Sequence, residues 1–230
     1  MPFERLNARL ERARASFGLE SLALVAADGI TLKAPELPPD VSPAEFVFYR
    51  SEVPSHVLGH LRAEPAPEDS KAFHEFVASL VPPLRFRSEK LDLYFTLEAA
   101  LEKLVESRRE NPSRDSWTGL YLVAGDHLEL GPYRGFVTDH HVIPLNRGLC
   151  GAAVSEGRTV VSKNVRTEAS YLACSLETRS EIVIPLRDAW GRIWGELDID
   201  SPVVDAYSER DRADLERWCE EIGMRIGRMV

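Results

Sequence analysis

Two thiols and three carboxylates lie close together between Gly148 and Ser201: Cys150, Cys174, Glu181, Asp198 and Asp200. Cys174 falls in the stretch 167–180, which is polar and loop-like, a setting in which a thiol stays accessible and reactive as its thiolate. The structural alternative is an incidental loop cysteine. Cys150 sits where Gly148-Leu149-Cys150-Gly151 turns into a helix. Unpaired backbone N–H groups and the helix dipole favour a thiolate there, or bind a carboxylate; the alternative is a small residue packing the helix. Asp198 and Asp200 share one face of a strand because side chains alternate with period two, and Glu181 belongs to a neighbouring strand. Crowded acids raise one another's pKa, so such a group can hold an ammonium and donate a proton; a solvated strand face, or a capped turn at Asp200-Ser201-Pro202, is the alternative. Glu196 falls on the same alternation as Asp198.

Two aromatic residues belong to the same neighbourhood. Trp117 and Tyr121, four apart on a strand, share a face and form either an apolar wall for a small guest or ordinary core. Cys219 lies on the apolar stripe of the last helix, where a cysteine packs as a small hydrophobe. His140-His141 have no cysteine or carboxylate at metal-ligand spacing, so they read as an exposed pair, and no metal is expected.

The elements that position these residues follow from periodicity. Phe3, Leu6, Leu10, Ala13 and Phe17 predict a helix over 2–17, ended by Gly18. Residues 21–27 and 30–34 read as strands joined by Asp28-Gly29, and Phe73, Phe76, Val77 and Leu80 as a helix ended by Pro82-Pro83. The proline-rich stretch 35–66 yields no assignment. Leu91, Tyr94, Leu97, Leu101, Leu104 and Val105 predict a long helix closed by Asn111-Pro112. Strands are expected at 117–123 and 127–130, a turn at 131–135, a short helix at 149–155 and a short strand at 159–162. Two further strands, 181–186 and 192–199, are linked through Asp188-Ala189-Trp190-Gly191. A last helix starts near Ser208 and carries Leu215, Trp218, Cys219, Ile222 and Ile226. The expected fold class is α+β, an antiparallel sheet flanked by helices over residues 88–230, with residues 1–85 a small N-terminal α/β extension or domain of unread role.

Composition narrows the function classes. A chain of 230 residues with 44% hydrophobic residues buries a full core, and a net charge of −9 argues against phosphate-tracking nucleic-acid binding and anionic membranes. No apolar run spans a bilayer and the N-terminus lacks a signal-peptide core, so a cytoplasmic location is expected. Three cysteines, an odd number without metal or disulfide-framework spacing, are expected to be reduced thiols.

The motifs Trp117-Thr118-Gly119-Leu120-Tyr121-Leu122, Leu130-Gly131-Pro132-Tyr133-Arg134-Gly135, Ile143-Pro144-Leu145-Asn146-Arg147-Gly148-Leu149-Cys150-Gly151, Leu172-Ala173-Cys174, Ser180-Glu181-Ile182-Val183-Ile184-Pro185 and Gly195-Glu196-Leu197-Asp198-Ile199-Asp200-Ser201, in this order, resemble a GAF domain. More narrowly, they resemble the free methionine-(R)-sulfoxide reductases. The resemblance runs from about residue 90 to the C-terminus. It implies a GAF-like sheet and thiol-dependent reduction of free methionine-(R)-sulfoxide, with Cys174 as the attacking thiol; Cys150 is the best resolving candidate left, the alternative being resolution directly by a reductant such as thioredoxin. It also implies Glu181 as the proton donor, Asp198 and Asp200 on the substrate ammonium, and Trp117 and Tyr121 as the wall. No cofactor is implied beyond an external dithiol such as thioredoxin, and a homodimer is a family expectation. The sequence departs from the family at 136–142, where a further cysteine is usual and His140 or His141 stands instead. The alternative function is therefore a non-catalytic GAF sensor or interaction module for a small molecule.

Overall fold

The computed structural model describes residues 2–19, 21–26, 31–34, 44–50, 53–64, 71–78, 80, 91–109, 114–168, 172 and 175–226. The chain divides into two compact units, Met1–Phe95 and Thr96–Val230. Among the described residues no helix is long and apolar enough to cross a membrane.

In the first unit, α1 spans Pro2–Ser16, and Gly18, at φ +64°, ends it as expected, with Leu19 N–H returning to the Arg14 carbonyl at 3.0 Å. Leu10 and Ala13 of its stripe are buried, and Phe17 meets Phe73 edge to face, with ring centroids 5.2 Å apart. Strands β1 (Ser21–Ala26), β2 (Thr31–Ala34), β3 (Ala44–Arg50) and β4 (Val53–Glu64) form an antiparallel sheet in the order β2-β1-β4-β3. Helix α2 covers Lys71–Ala78. Strands β3 and β4 occupy the stretch left unassigned in the sequence, where Pro54 and Gly59 interrupt the alternation within β4 itself. Asp28-Gly29, Pro82-Pro83 and Asn111-Pro112 lie outside the described residues.

Helix α3 spans Leu91–Ser107. In the second unit, β5 (Trp117–Ala124), β6 (His127–Gly135), β7 (Val142–Pro144), β8 (Val160–Ser162), β9 (Ser180–Arg187) and β10 (Ile193–Ser201) make one antiparallel sheet in the order β7-β6-β5-β10-β9-β8. The expected turn at 131–135 is instead the second half of β6. A register shift opposite, between Gly119 and Tyr121, lets Gly131 pass the Leu120 carbonyl, where a Cβ would come within 2.9 Å. The Asp188–Gly191 link is the tight turn expected. Gly191 adopts φ +79°, and the Asp188 carboxylate accepts the N–H groups of Trp190 and Arg192, both at 2.9 Å.

Helix α4 (Gly148–Glu156) and helix α5 (Glu209–Ile226) complete the unit. Gly223 brings α5 so close to β9 that a Cβ would stand 2.1 Å from the Arg187 carbonyl oxygen. Leu215, Cys219, Ile222 and Ile226 are buried, and Trp218 is half-buried. Cys219 is thus a core residue whose thiol burial holds well above its ordinary pKa, helped by the charges of Glu196 and Glu216. Ser208 caps α5: its hydroxyl accepts the Asp211 N–H at 3.2 Å while Asp211 accepts the Ser208 N–H at 2.9 Å. Replacing Ser208 by Ala is expected to cost about 1 kcal/mol, read as a lower urea midpoint with unchanged slope.

Candidate functional site

The register of the six-stranded sheet decides which residues share a face. Across β5, β10 and β9, Trp117 stands opposite Asp200, which stands opposite Glu181. One step of two residues further, Gly119, Asp198 and Val183 are aligned, and then Tyr121, Glu196 and Pro185. Directly opposed residues project to the same side, so one sheet face carries Trp117, Tyr121, Glu181, Glu196, Asp198 and Asp200. Helix α4 packs over this face through Leu149, Cys150 and Ala153, in one apolar cluster with Trp117, Tyr121 and Val183.

Cys150 is the third residue of α4 and is not in a disulfide. Its thiol faces carboxylates: Sγ donates to Asp198 Oδ2 at 3.5 Å and lies 4.0 Å from Glu181 Oε1. The sequence places this thiol in the field of the helix N-terminus. The fold adds acidic neighbours on that side.

All four acids are buried: Glu181 is 2% exposed, and Glu196, Asp198 and Asp200 are 0% exposed. Among the described residues Glu181 Oε2, Asp198 Oδ1 and both oxygens of Glu196 and Asp200 have no hydrogen-bond partner. Burial, with the charges of Asp200, Glu196 and Glu168, holds Glu181 well above the ordinary carboxylate range. Burial and then the charges of Glu181, Asp200 and Glu196 do the same to Asp198. Burial pushes Glu196 up to about 8, with Cys150 opposing and Asp200 adding. It pushes Asp200 up to about 7, opposed by the Thr178 hydroxyl. An apolar enclosure cannot hold four neighbouring negative charges, so the cluster either keeps protons or takes up a cation. The first state supplies a proton donor at neutral pH, and the second a seat for an ammonium.

The aromatic wall is built on a glycine. The six-membered ring of Trp117 occupies the space beside Gly119, stacks on Tyr133 with centroids 5.7 Å apart and planes at 16°, and stands 6.1 Å from Tyr121. Tyr121 donates its hydroxyl to the His140 carbonyl at 2.8 Å, tying the His140-His141 segment to the sheet. Tyr133 falls within the turn expected at 131–135, and Glu196 has no expected role. The period-two alternation from Asp198 was the signal for Glu196, and the stack on Trp117 identifies Tyr133. Cys174 lies outside the described residues, as do 169–171 and Ala173. The described part of its segment comprises a 3-10 turn, Val165–Thr167, then Glu168, Leu172, which packs against the cluster of Cys150 and Trp117, and the residues from Ser175 on.

Comparison with known proteins places the chain in a family. No protein-family model matches the chain. The chain is similar to the type II free methionine-R-sulfoxide reductase of Thermoplasma acidophilum, with 34% identity and a TM-score of 0.56 over 62% of this chain and 97% of that one. It is 36% identical over 107 residues to the free methionine-R-sulfoxide reductase of Escherichia coli, a match spanning 46% of this chain and 64% of that protein. A solved GAF domain shares 28% identity and a TM-score of 0.52, over 55% of this chain and 73% of that domain. The chain thus spans a little under two thirds of the Escherichia coli relative, and nearly all of the Thermoplasma one. An antiparallel six-stranded sheet with flanking helices, and identity above 30% to a reductase covered almost end to end, mean that the chain belongs to the GAF family, among the free methionine-R-sulfoxide reductases.

Proposed function

We propose that the protein reduces free methionine-(R)-sulfoxide to methionine with thiols as the electron source. The observation that carries the reading is the gathering of Trp117, Tyr121, Glu181, Asp198, Asp200 and Cys150 about one buried sheet face. Asp198 and Asp200 hold the amino acid's ammonium, and Trp117 and Tyr121 wall its methyl-sulfur end. Cys174 attacks the sulfoxide sulfur, the sulfur–oxygen bond breaks, oxygen passes to Cys174 as a sulfenic acid, and the thioether leaves as methionine. Glu181, kept protonated by its surroundings, gives the oxygen its proton in that step. The Cys150 thiol then attacks the sulfenic sulfur, releasing water and forming a disulfide. An external dithiol of the thioredoxin kind reopens that bond and leaves oxidised.

The test is methionine release from the free sulfoxide in the presence of a dithiol. Cys174→Ser is expected to abolish release, and Glu181→Gln to lower kcat by about 10²- to 10⁴-fold. Equal rates for wild type and Cys174→Ser would end the reading. Tight binding of the sulfoxide by wild type without methionine release would favour the sensor alternative, for which the histidine pair at the place of a usual family cysteine speaks.

A further inference from the structure

We propose that Cys150, Glu181 and Asp198 form a binding site for a divalent cation of the zinc class, and that this cation and the ammonium of an amino-acid guest exclude each other. The three ligand atoms, Cys150 Sγ and one carboxylate oxygen each of Glu181 and Asp198, all lie within 4.8 Å of one another and belong to buried residues. A tetrahedral centre with metal–sulfur and metal–oxygen bonds of ordinary length has a sulfur–oxygen edge of about 3.6 Å. The two sulfur–oxygen separations, 3.5 Å and 4.0 Å, lie close to that edge, and the two carboxylate oxygens, within 4.8 Å of each other, close the set by rotation of their side chains.

The donor set selects the metal. A thiolate with two carboxylates suits zinc and its borderline-soft neighbours, whereas magnesium and calcium take oxygen ligands only. The ligands come from a helix and two neighbouring strands, α4, β9 and β10, so side-chain adjustment suffices. A second observation points to an occupant. Glu181 Oε2, Asp198 Oδ1 and both Glu196 oxygens are buried without a partner among the described residues. Buried carboxylate oxygens without a donor are the groups that a bound cation and its water satisfy. On binding, the Cys150 thiol and protonated carboxyls release protons to solvent, and the cation replaces those protons as the positive partner.

Metal binding stands independently of the reductase reading; its consequence rests on that reading. With the metal bound, Cys150 is withheld from disulfide formation and Glu181 from proton donation, so zinc is a reversible inhibitor.

The experiment titrates the reduced full chain anaerobically with cobalt(II), then zinc(II). One equivalent of cobalt is expected to produce a thiolate-to-cobalt charge-transfer absorption that zinc abolishes and millimolar magnesium leaves unchanged. The absorption is lost in Cys150→Ser and kept in Cys174→Ser and Cys219→Ser. Glu181→Gln and Asp198→Asn, which retain the thiol, weaken zinc binding by calorimetry at least about tenfold, and circular dichroism establishes that each variant is folded. Absence of the absorption in wild type, or its survival in Cys150→Ser, overturns the proposal. Methionine release measured with a chelator present separates the two readings. Turnover without a cobalt signal leaves the reductase standing and removes the metal site, and a cobalt signal without turnover does the reverse.

Discussion

Raising the pH from about 5.5 to about 8.5 is expected to lower the thermal unfolding midpoint by on the order of 10 °C, because the cluster of acids is more stable protonated. In the unfolded chain Glu181, Glu196, Asp198 and Asp200 ionise near their ordinary value of about 4. Folded, Asp200 holds its proton to about 7 and Glu196 to about 8, and Glu181 and Asp198 are also held well above the ordinary range. Over that interval the folded state binds more protons than the unfolded one, so stability falls with pH. The contribution is full below the unfolded values and lost as pH climbs through the folded ones. His127, raised first by its bond to Asp126, acts in the same direction. Asp211 and Glu216, both lowered, give stability that is lost only on acidification toward and below the ordinary range, so they do not offset the decline. Glu196→Gln removes one of the acids while keeping its shape, and is expected to raise the midpoint at the alkaline end and leave the acid end nearly unchanged. Calorimetry across the range checks both. A midpoint that stays flat or rises between these pH values would contradict the assignment of a proton-holding cluster.

Gly119→Ala is expected to destabilise the protein by about 3 kcal/mol and to move Trp117. A Cβ at residue 119 would stand 2.1 Å from the Trp117 ring, against a side chain that is stacked on Tyr133 and only 2% exposed. The ring cannot give way without leaving Tyr133, and an off-rotamer indole or a displaced strand is the result. Near-ultraviolet circular dichroism reports the tryptophan environment, and urea unfolding the stability. A double-mutant cycle isolates the cause: with Trp117→Ala already present, the added methyl at 119 meets no ring, so its cost should fall well below that in the wild-type background. Equal costs in both backgrounds would mean that the glycine is required for something other than the indole.

Much of this was legible in the sequence where a local rule applied. The apolar stripe of α1, the glycine that ends it, the Asp188–Gly191 turn and the capping of α5 depend on residues a few positions apart. Strands β3 and β4 were not legible, since Pro54 and Gly59 break the alternation and the pairing partner β1 is distant in the chain. Within the site, the shared face of Asp198 and Asp200 followed from alternation, as did that of Trp117 and Tyr121. That the two pairs belong to one face depended on the register of β5 against β10, a long-range fact that no window of sequence contains. The stack of Tyr133 on Trp117 was hidden for the same reason, because it requires β6 to run straight through Gly131-Pro132.

The pairing of β5 with β10 also bears on how the protein is made. Ser116 and Asp200 are bonded although 84 residues separate them, and every aromatic-to-acid neighbour on that face spans a similar gap. During synthesis the first of these strands leaves the ribosome long before the second exists, so the aromatic rings wait without their acidic neighbours. That large loop carries the entropy cost of closing over some eighty residues, and a chain released short of residue 200 has no complete β10 to set beside the rings of β5.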